Sequence, residues 1–490
     1  MRIRNSWLAF LCALGIAACS GTGVTDNGAS NTPPSGTGVS GAVDSSLLNR
    51  HQESANLVYA FSGFNTTSGL PVASAPVTQD TGGCTFRYNL AGLGAGGYTV
   101  ALTKDGGATF PRTANVTVVG ATAVQDFAAA RVVRVGPTRQ FTDPSQVTGT
   151  VQSGDAVEID AGVYNGTEAV WPSTISNLTL RGVGGRAHLV APATILNQKA
   201  IWVTAGRNIA VENIEFSDAA VPDRNGAGIR ADGSDLAICG SYFHDNEDGI
   251  LGGDSGNVLI EYTEFARNGG CPPGFGCAHN MYIGAASRFT LRYSYSHHAS
   301  IGHLVKSRAR ENRILYNRIM DEADGTSSYV IDLPNGGLSY IIGNLLQKGP
   351  NADNSTMVIY GEEGLTNPDH GLYIVNNTFV NNFGSGTFVA AGGSTATVQN
   401  NLFVGNGTLV SGGGPATQTS NLRTSAPNFV NIGAFDYRPT ATTPGIDQGT
   451  APGLGGTFDL TPIYQYVHPT NREPRPTRNA IDIGAYEYAP

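Results

Sequence analysis

The sequence predicts an all-β protein whose main part is a right-handed parallel β-helix, preceded by a small β-sandwich. The chain of 490 residues contains 65 glycines and only 14% charged residues, a composition typical of β-proteins with many tight corners. Its apolar runs alternate with a period of 2 rather than 3.6. A short motif also recurs along most of the chain, which indicates a solenoid.

The first 19 residues resemble a bacterial lipoprotein signal peptide. Two arginines precede an apolar core over residues 7–16, and the core ends in Ile16-Ala17-Ala18-Cys19, which resembles a lipobox. The resemblance implies cleavage before Cys19 and a lipid on its thiol, and Ser20 resembles the sorting signal for the outer membrane. We therefore expect an exported bacterial lipoprotein held at the outer membrane by this lipid. An ordinary secretory peptide that contains a cysteine is the alternative.

Four further cysteines remain after this signal. Cys271 and Cys277 stand six positions apart around Pro-Pro-Gly-Phe-Gly, and we expect them to form a disulfide in an oxidising compartment. The disulfide would rigidify the approach to His279, whereas two free thiols in a loop are the alternative. The sequence contains no Cys/His spacing typical of a metal site.

Two segments precede the repeat region. Residues 20–52 are rich in Gly, Ser, Thr and Asn and too poor in apolar residues to fold, which predicts a flexible linker. Residues 53–131 change to short alternating strands separated by glycine-rich corners, which predicts the β-sandwich. The segment Leu90–Thr103 resembles the closing hairpin of transthyretin-like or carboxypeptidase-regulatory-like modules. We expect this module to be a spacer, with an accessory binding module as the alternative.

Residues 132–426 contain the repeat that predicts the β-helix. Each copy is an alternating apolar strand that ends in a large residue, and successive copies are 22 to 33 residues apart. Leucine-rich repeats are excluded because their frame is absent, and helical repeats because the period is 2. The copies end at Phe216, Phe243, Phe265, Ser296, Ile319, Leu346, Phe379 and Phe403. Corner asparagines are expected to stack in ladders: Asn213, Asn317, Asn344, Asn377 and Asn401.

Both ends of the repeat region fit this fold. The stretch from Gly154 to Tyr164 resembles the first coil of pectate-lyase-like β-helices, and residues 427–490 resemble the closing segment of bacterial β-helix proteins. A solenoid needs polar caps over the open ends of its core. We therefore expect residues 427–490 to form the C-terminal cap.

A candidate active site lies between residues 278 and 364. Tyr282, Lys306, Asp332 and Tyr360 each sit in a short β-type run, at successive spacings of 24, 26 and 28 residues. Alternation places neighbours such as Met281, Ile283, Val305, Ser307, Ile331, Leu333 and Ile359 on the opposite face, so all four side chains are expected to point outward. Adjacent coils lie about 4.8 Å apart, so the four side chains would stack in one column.

Further polar residues would flank this column. Arg308 and Glu362 lie two positions further along their strands and would form a second column. Asn280 is also expected to point outward. His279 and His303 begin their strands, where either histidine could orient a substrate or transfer a proton. These residues complete the set that we expect to converge on one cleft.

Lys306 is the candidate base. The chain contains only four lysines among its 29 Lys and Arg residues. Lysine can lose its proton when cations crowd it or when it is desolvated, whereas arginine effectively never does. Arg308 and His303 would supply that positive surrounding. A simple ion pair between Lys306 and Asp332 on a solvated sheet is the alternative, and the convergence of the other polar residues favours a functional site.

The run from His303 to Asn312, followed by Asn317 and Gly343-Asn344, resembles the chondroitinase-B and alginate-lyase family of β-helix enzymes. In that family, a Lys-Ser pair followed by Asn carries the catalytic base. The resemblance therefore implies this role for Lys306. It covers about 45 residues of the chain.

The sequence departs from that family at two points. The family's catalytic arginine lies on the following coil, where this chain has Asp332. Its calcium-binding glutamates lie just before the lysine, where this chain has Ala299 and Ile301. Calcium is thus a candidate cofactor without firm support, and its further candidate ligands lie at corners of the chain: Glu247, Asp248 and Asp254.

We expect a polysaccharide lyase that cleaves a uronate-containing chain by β-elimination. Arg308, Asn280 and a histidine would neutralise the uronate, and Lys306 would remove its C5 proton. Tyr282 or Tyr360 would then protonate the departing glycosidic oxygen. The shallow groove along a β-helix suits a long sugar polymer, and the two tyrosines suit sugar faces.

Other functions remain open at this stage. A glycoside hydrolase would need two carboxylates, and Asp332 and Glu362 are the candidate pair. A uronate epimerase would use nearly the same residues as the lyase, and a surface protein would only bind polysaccharide here. The net charge of −9 argues against nucleic acid, which needs clustered Lys and Arg. We expect a monomer whose partner is an acidic polysaccharide.

Overall fold

The computed structural model describes residues 37–48, 59–68, 71–104, 108–412 and 414–490. The predicted signal peptide, with Cys19, and most of the predicted linker lie outside these residues. Residues 35–490 form one compact unit. Within the described ranges, no helix has both the length and the apolar character needed to cross a bilayer.

The N-terminal module is a sandwich of two four-stranded sheets, as predicted. One sheet contains Thr78–Gln79, Phe86–Ala91, Gly38–Val43 and Ala123–Val124. The other contains Pro71–Pro76, Tyr59–Asn65, Gly96–Lys104 and Ala108–Val118. Apolar residues of both sheets, among them Val39, Phe86, Leu90 and Val100, share one core.

The predicted linker is wrong for residues 38–47, which the structure describes. Gly38–Val43 pairs in register with Phe86–Ala91, and the 3₁₀ turn Ser45–Leu47 follows it. Val39 alone supplies a fully buried side chain, so a short apolar stretch was enough to form an ordered strand. The module is joined to the β-helix by a disulfide between Cys84 and Cys239.

The β-helix consists of three parallel sheets that wind around one core. The first sheet has ten strands: Ala169–Trp171, Ala200–Thr204, Ala227–Ala231, Asp248–Gly252, Met281–Ile283, Val305–Ser307, Ile331–Leu333, Thr356–Tyr360, Thr387–Ala390 and Thr408–Ser411. Every pairing in it is parallel and joins consecutive coils. This sheet carries the candidate active site.

The other two sheets are joined by a sharp corner. Val132–Val135, Ala156–Asn165 and Ser176–Val190 begin them, and the latter two strands bend from one sheet into the next. The second sheet continues with Arg207–Glu212, Ser234–Cys239, Asn257–Glu261, Arg288–Arg292, Glu311–Leu315, Leu338–Ile342, Gly371–Val375, Thr395–Gln399 and Ala416–Thr419. The third continues with Ile214–Ser217, Tyr242–His244, Glu264–Ala266, Tyr295–His297, Arg318–Met320, Leu345–Lys348, Thr378–Asn381, Leu402–Gly405 and Leu422–Thr424.

The large residues that end the sequence repeat form a column inside the third sheet, which confirms the predicted register. The rings of Phe216, Phe243 and Phe265 stack at 4.8 and 4.9 Å, which is the spacing of adjacent parallel strands. Each coil thus buries its apolar face against its neighbours. At the N-terminal end, Val147 of the 3₁₀ turn Pro144–Val147 joins this core.

Four of the five predicted corner asparagines form a ladder. Asn317, Asn344, Asn377 and Asn401 each donate their side-chain amide to the next member, and Asn421 ends the series. Each amide also donates to a backbone carbonyl of the preceding coil. Buried backbone groups at the corner are thereby satisfied.

Asn213 is the exception to this ladder. It lies one position earlier in its coil, at a left-handed φ of 57°, a conformation that asparagine tolerates better than most residues. Its side chain donates to the carbonyls of Gly182 and Gly185 instead. Asparagine therefore has two roles at this corner, as a member of the side-chain ladder and as a residue in the left-handed conformation. The sequence motif alone does not distinguish these two roles.

The C-terminal residues do not form the expected cap. Tyr437, Tyr466 and Tyr486 pack on the outside of the third sheet, against the cluster that contains Met320 and Leu345. Three short hairpins and a 3₁₀ turn build this segment: Phe429–Asn431 with Asp436–Pro439, Leu454–Gly455 with Phe458–Asp459, Tyr464–Val467 with Asn471–Pro474, and Ile432–Ala434. The expectation was wrong because apolar and aromatic residues on the outside of the coils offered the segment a surface to pack on there.

Candidate active site

Tyr282, Lys306 and Asp332 occupy adjacent positions on three consecutive strands of the first sheet. Tyr282 pairs with Lys306, and Lys306 pairs with Asp332. The Lys306 ammonium lies 3.2 Å from Asp332 Oδ2 and 5.2 Å from the centre of the Tyr282 ring. The residues on either side of Tyr282 and Lys306 are buried in the core. The predicted column is thus present over three coils.

Arg308 lies beside this column and is fully engaged. Its Nε donates to Tyr282 Oη at 2.6 Å, and its Nη1 donates to Asn335 Oδ1 at 2.5 Å. Its Nη2 donates to Glu363 Oε1 at 2.8 Å. The guanidinium therefore connects Tyr282 to Asn335 and Glu363, which lie in the loops after two later strands of the first sheet.

Glu363 is a site residue that the sequence analysis missed. Its carboxylate bridges the two cations, because Oε1 also lies 3.8 Å from the Lys306 ammonium. The hydrogen bond from Arg308 is the main cause that lowers the pKa of Glu363. The predicted partner of Arg308 was Glu362, one residue earlier. Glu362 instead points to solvent and accepts a hydrogen bond from Tyr329 Oη at 3.0 Å.

Two predicted orientations are wrong. Tyr360 is fully buried in the core of the β-helix, and its hydroxyl donates to the carbonyl of Gly337. The residue aligned with Asp332 is Ile359, so the third interval of the column is 27 residues rather than 28. A slip of one residue moves a side chain to the other face of a strand. Tyr360 is therefore not available to a substrate in the cleft.

Asn280 also points inward rather than outward. It is fully buried, its Oδ1 accepts from Asn268, and its Nδ2 donates to Ser296 Oγ and the carbonyl of His297. Asn246 donates to Asn268 in the same way, which makes a second asparagine ladder at the corner before the first sheet. The predicted substrate contact of Asn280 is replaced by this structural role.

His279 and His303 stack on each other with ring centres 4.5 Å apart. The Nδ1 of His279 accepts the backbone N–H of His303, and the Nδ1 of His303 accepts that of Tyr329. In each neutral ring the remaining proton is therefore on Nε2. Burial lowers the pKa of both rings, to about 3 for His303, and the charge of Lys306 acts in the same direction.

The protonated Nε2 of His303 faces Asp332. It lies 3.4 Å from Asp332 Oδ2, the oxygen that also faces Lys306. Because that nitrogen carries the proton, it is not free to accept one from a substrate. His303 thus lies beside the carboxylate, and His279, 2% exposed, accepts the backbone N–H of His303.

Asp332 is a carboxylate in an unfavourable position. Only 1% of its side chain is exposed, and within the described part of the chain Oδ1 has no hydrogen-bond partner. Desolvation raises its pKa to about 6, although Lys306 opposes that rise. An uncompensated buried oxygen of this kind is costly, and such groups concentrate at functional sites.

A groove of about 360 Å³ extends from Tyr282 and Arg308 along the preceding coils. Arg230 and Asp248 line it, together with the loop closed by the disulfide between Cys271 and Cys277. Asp248 accepts the backbone N–H of His279 at 2.7 Å. Burial raises its pKa to about 8. The groove is therefore lined by both basic and acidic side chains.

The calcium ligands suggested by the sequence do not converge in this structure. Glu247 accepts the backbone N–H groups of Val221 and Gly226, while Asp248 and Asp254 accept those of His279 and Ala285. Among the described residues, these carboxylates form no group of three within reach of one ion. The positions just before Lys306 hold Ala299 and Ile301, whose side chains offer no oxygen ligand. The residues present do not fit a calcium site of the family's kind, and no step below relies on one.

Comparisons with known proteins agree with this architecture. A family model described as "Right handed beta helix region" matches residues 162–346. The crystal structure of pectate lyase Pel9A aligns over 74% of this chain and 97% of its own, at 15% sequence identity and a TM-score of 0.53. A search of curated protein sequences gave no match.

Two further solved structures match less well. The pectin methylesterase from Aspergillus niger covers 64% of this chain and 92% of its own, at 11% identity and a TM-score of 0.27. The PL6 family alginate lyase AlyGC covers 70% of this chain and 55% of its own, at 14% identity and a TM-score of 0.24.

The three parallel sheets and the family model define a right-handed parallel β-helix protein. More particularly, its fold is the pectate-lyase-like one, preceded by a small β-sandwich module. At these identities the likeness concerns the fold alone. The chemistry has to be argued from the side chains on the first sheet.

Proposed function

We propose that the protein is a polysaccharide lyase that cleaves a uronate-containing polysaccharide by β-elimination. The observation that carries this proposal is the adjacent placement of one amine, one guanidinium and one phenol on the open face of the first sheet. Tyr282 and Arg308 lie at the end of a groove lined by acidic and basic side chains, and Lys306 lies next to the Tyr282 ring. Such a groove along a β-helix suits an extended sugar polymer.

The uronate carboxylate would bind Arg308 in place of the Glu363 carboxylate. This places a positive charge where negative charge develops when the C5 proton leaves. The incoming sugar would also exclude water from the surroundings of Lys306 and bring its C5 proton next to that amine. Neutral Lys306 takes the C5 proton, and the electron pair of that C–H bond forms the C4–C5 double bond.

Tyr282 supplies the proton that completes the reaction. Its oxygen accepts from Arg308, which leaves the phenolic hydrogen free to be donated to the glycosidic oxygen as the C4–O bond breaks. Arg308 then compensates the charge left on the phenolic oxygen. Lys306 is an ammonium once it has taken the C5 proton, and Asp332 Oδ2, 3.2 Å away, orients it. Loss of one proton from Lys306 to solvent and gain of one by the Tyr282 oxygen then restore the starting state.

A hydrolase that uses Asp332 and Glu362 is less well supported. Glu362 is exposed and bonded to Tyr329, while Asp332 is buried behind Lys306 and His303. A catalytic pair needs both carboxylates open to the glycosidic bond. A uronate epimerase and a binding protein would use the same face as the lyase, but neither would release unsaturated products or new reducing ends.

The test is an assay of the purified protein with polygalacturonate, alginate and chondroitin sulfate. Unsaturated products and reducing ends should rise together, whereas reducing ends alone would indicate a hydrolase. Lys306→Arg keeps the charge but cannot deprotonate, and should lower kcat by about 10²–10⁴-fold. Lys199→Arg is the matched control, since Lys199 forms an exposed ion pair with Asp232. Equal activity of the two variants would refute the mechanism.

We also propose that lipidation of Cys19 anchors the protein at the outer membrane, where a monomer would meet polymeric substrate. The support is the lipobox-like sequence that ends at this residue. Cys19→Ala should abolish metabolic labelling with a radioactive fatty acid and release the protein from the membrane fraction. Unchanged labelling of that variant would contradict the anchor without affecting the proposed lyase activity.

A further inference from the structure

A second cluster of functional side chains lies on the outside of the third sheet, away from the groove. His188, Glu215 and His244 come from the strands Ser176–Val190, Ile214–Ser217 and Tyr242–His244 of three consecutive coils. His188 pairs with Glu215 across the first two strands. Their side chains are 24%, 23% and 14% exposed, so the cluster is shielded but open to ions from solvent.

The hydrogen bonds around His188 fix which ring nitrogen faces the cluster. Ser217 Oγ donates to Asp218 Oδ2 at 2.7 Å, so it has to accept the bond from His188 Nε2 at 2.9 Å. In the neutral ring the proton is therefore on Nε2. The lone pair of Nδ1 then points at Glu215 Oε1, 3.5 Å away.

The hydrogen bonds of His244 also determine which of its ring nitrogens faces the cluster. Its Nδ1 lies 2.6 Å from Asp245 Oδ2 and has to donate to that carboxylate. Asp245 is itself held by two hydrogen bonds from Arg267. The lone pair of His244 Nε2 consequently faces Glu215 Oε1, at 3.1 Å.

With neutral rings, two imidazole lone pairs and one carboxylate oxygen thus converge, an arrangement that is stabilised by a positive charge between them, either a proton or a metal ion. The three ligand atoms all lie within 4.8 Å of one another. A tetrahedral zinc ion with bonds of about 2.0–2.1 Å requires ligand atoms about 3.3 Å apart. The observed contacts of 3.1 and 3.5 Å bracket that value.

We propose that His188 Nδ1, Glu215 Oε1 and His244 Nε2 bind one divalent transition-metal ion of the zinc type, with water as the fourth ligand. Imidazole and carboxylate are ligands that zinc accepts readily. The carboxylate of Asp245 on the outer nitrogen of His244 is the supporting contact that metal-bound histidines almost always make. The ion would join three successive coils close to the corner that follows the third sheet.

The test is a zinc titration of the full chain after removal of metal with EDTA and dialysis. Wild type should bind one Zn²⁺, and Co²⁺ in its place should give the visible absorption of a tetrahedral site. His188→Gln with His244→Gln should weaken Zn²⁺ binding by at least about 100-fold, and Asp245→Asn by about 10–100-fold. His370→Gln is the control, because His370 bonds only to the carbonyl of Asn367 among the described residues.

Far-UV circular dichroism and metal-free melting show that each variant is folded before its affinity is compared. The proposal fails if wild type binds no Zn²⁺, or if the double His188/His244 variant binds it as tightly as wild type. It also fails if His370→Gln lowers the affinity as much as the cluster variants, since the ion would then bind elsewhere. Asp245→Asn keeps all three ligands, so its weaker binding would specifically support the oriented histidine.

Discussion

Replacement of Asp332 by asparagine tests the most unusual electrostatic feature of the site. Desolvation raises the pKa of this carboxyl from 3.8 to about 6, so the folded chain binds a proton more tightly than the unfolded chain. Such a group contributes stability that is fully present below the unfolded pKa and is lost as the pH rises through the folded one. Asparagine has a similar shape and does not titrate.

The expected change in the free energy of unfolding follows from the pKa shift of Asp332. A difference of about 2 pKa units corresponds to about 3 kcal/mol, of which about 2 kcal/mol develops between pH 4 and pH 7. The free energy of unfolding of Asp332→Asn should therefore rise by that amount relative to wild type over this range. The prediction concerns how the difference in unfolding free energy between variant and wild type changes with pH. An interaction that the substitution removes equally at every pH does not affect that change.

Urea unfolding followed by circular dichroism at a series of pH values measures this difference. Asp324→Asn is the control, because 83% of the Asp324 side chain is exposed. A difference between Asp332→Asn and wild type that stays constant from pH 4 to pH 7 would refute the argument that Asp332 is ionised against a desolvation cost. A lyase that uses Lys306 should also lose activity in Asp332→Asn, although the stability of that variant relative to wild type rises with pH.

Three other substitutions test separate parts of the structure. Glu363→Gln should lower KM for an acidic polysaccharide by up to about fivefold, because a half-exposed ion pair is worth at most about 1 kcal/mol; Glu362→Gln, one residue away, should leave KM unchanged. Asp248→Asn should gain stability over wild type by about 3 kcal/mol between pH 5 and pH 8, because burial raises the pKa of Asp248 to about 8, and a flat difference in urea unfolding would contradict this. Asn344→Ala should cost about 3 kcal/mol by leaving buried partners in the ladder unpaired, and a loss no greater than that of the exposed Asn479→Ala would show that the ladder contributes little.

The positions of Tyr282, Lys306 and Asp332 could be predicted because apolar residues flank Tyr282 and Asp332 on both sides and Lys306 on one side, which fixes the register. A strand that slipped by one residue would bury the lysine and expose the core, so the alternation leaves one solution. Tyr360 lacks that protection. Its strand contains Met357, Val358 and Ile359 in succession, and a continuous apolar run does not indicate which side chains point inward.

The positions of Asn280 and Glu363 could not be predicted from the sequence, because they depend on how the coils stack and on the path of a loop. The inward position of Asn280 depends on Asn246 and Asn268, which precede it by 34 and 12 residues and become its neighbours only when the coils stack. Glu363 lies in a loop, and its distance to Arg308 depends on the path of that loop rather than on any periodicity. The cluster of His188, Glu215 and His244 was likewise invisible as a spacing motif, because its members lie on separate coils.

The pairing of Glu363 with Arg308 also bears on substrate choice. A uronate that replaces Glu363 exchanges one carboxylate for another, so the charge next to Arg308 stays the same and no cation is left without a partner. A neutral sugar would displace the same loop and leave the guanidinium uncompensated, which is costly in a partly desolvated cleft. In the proposed lyase, this geometry thus favours a negatively charged sugar over a neutral one for two reasons. Arg308 attracts the charged sugar, and binding of a neutral sugar would leave the guanidinium uncompensated.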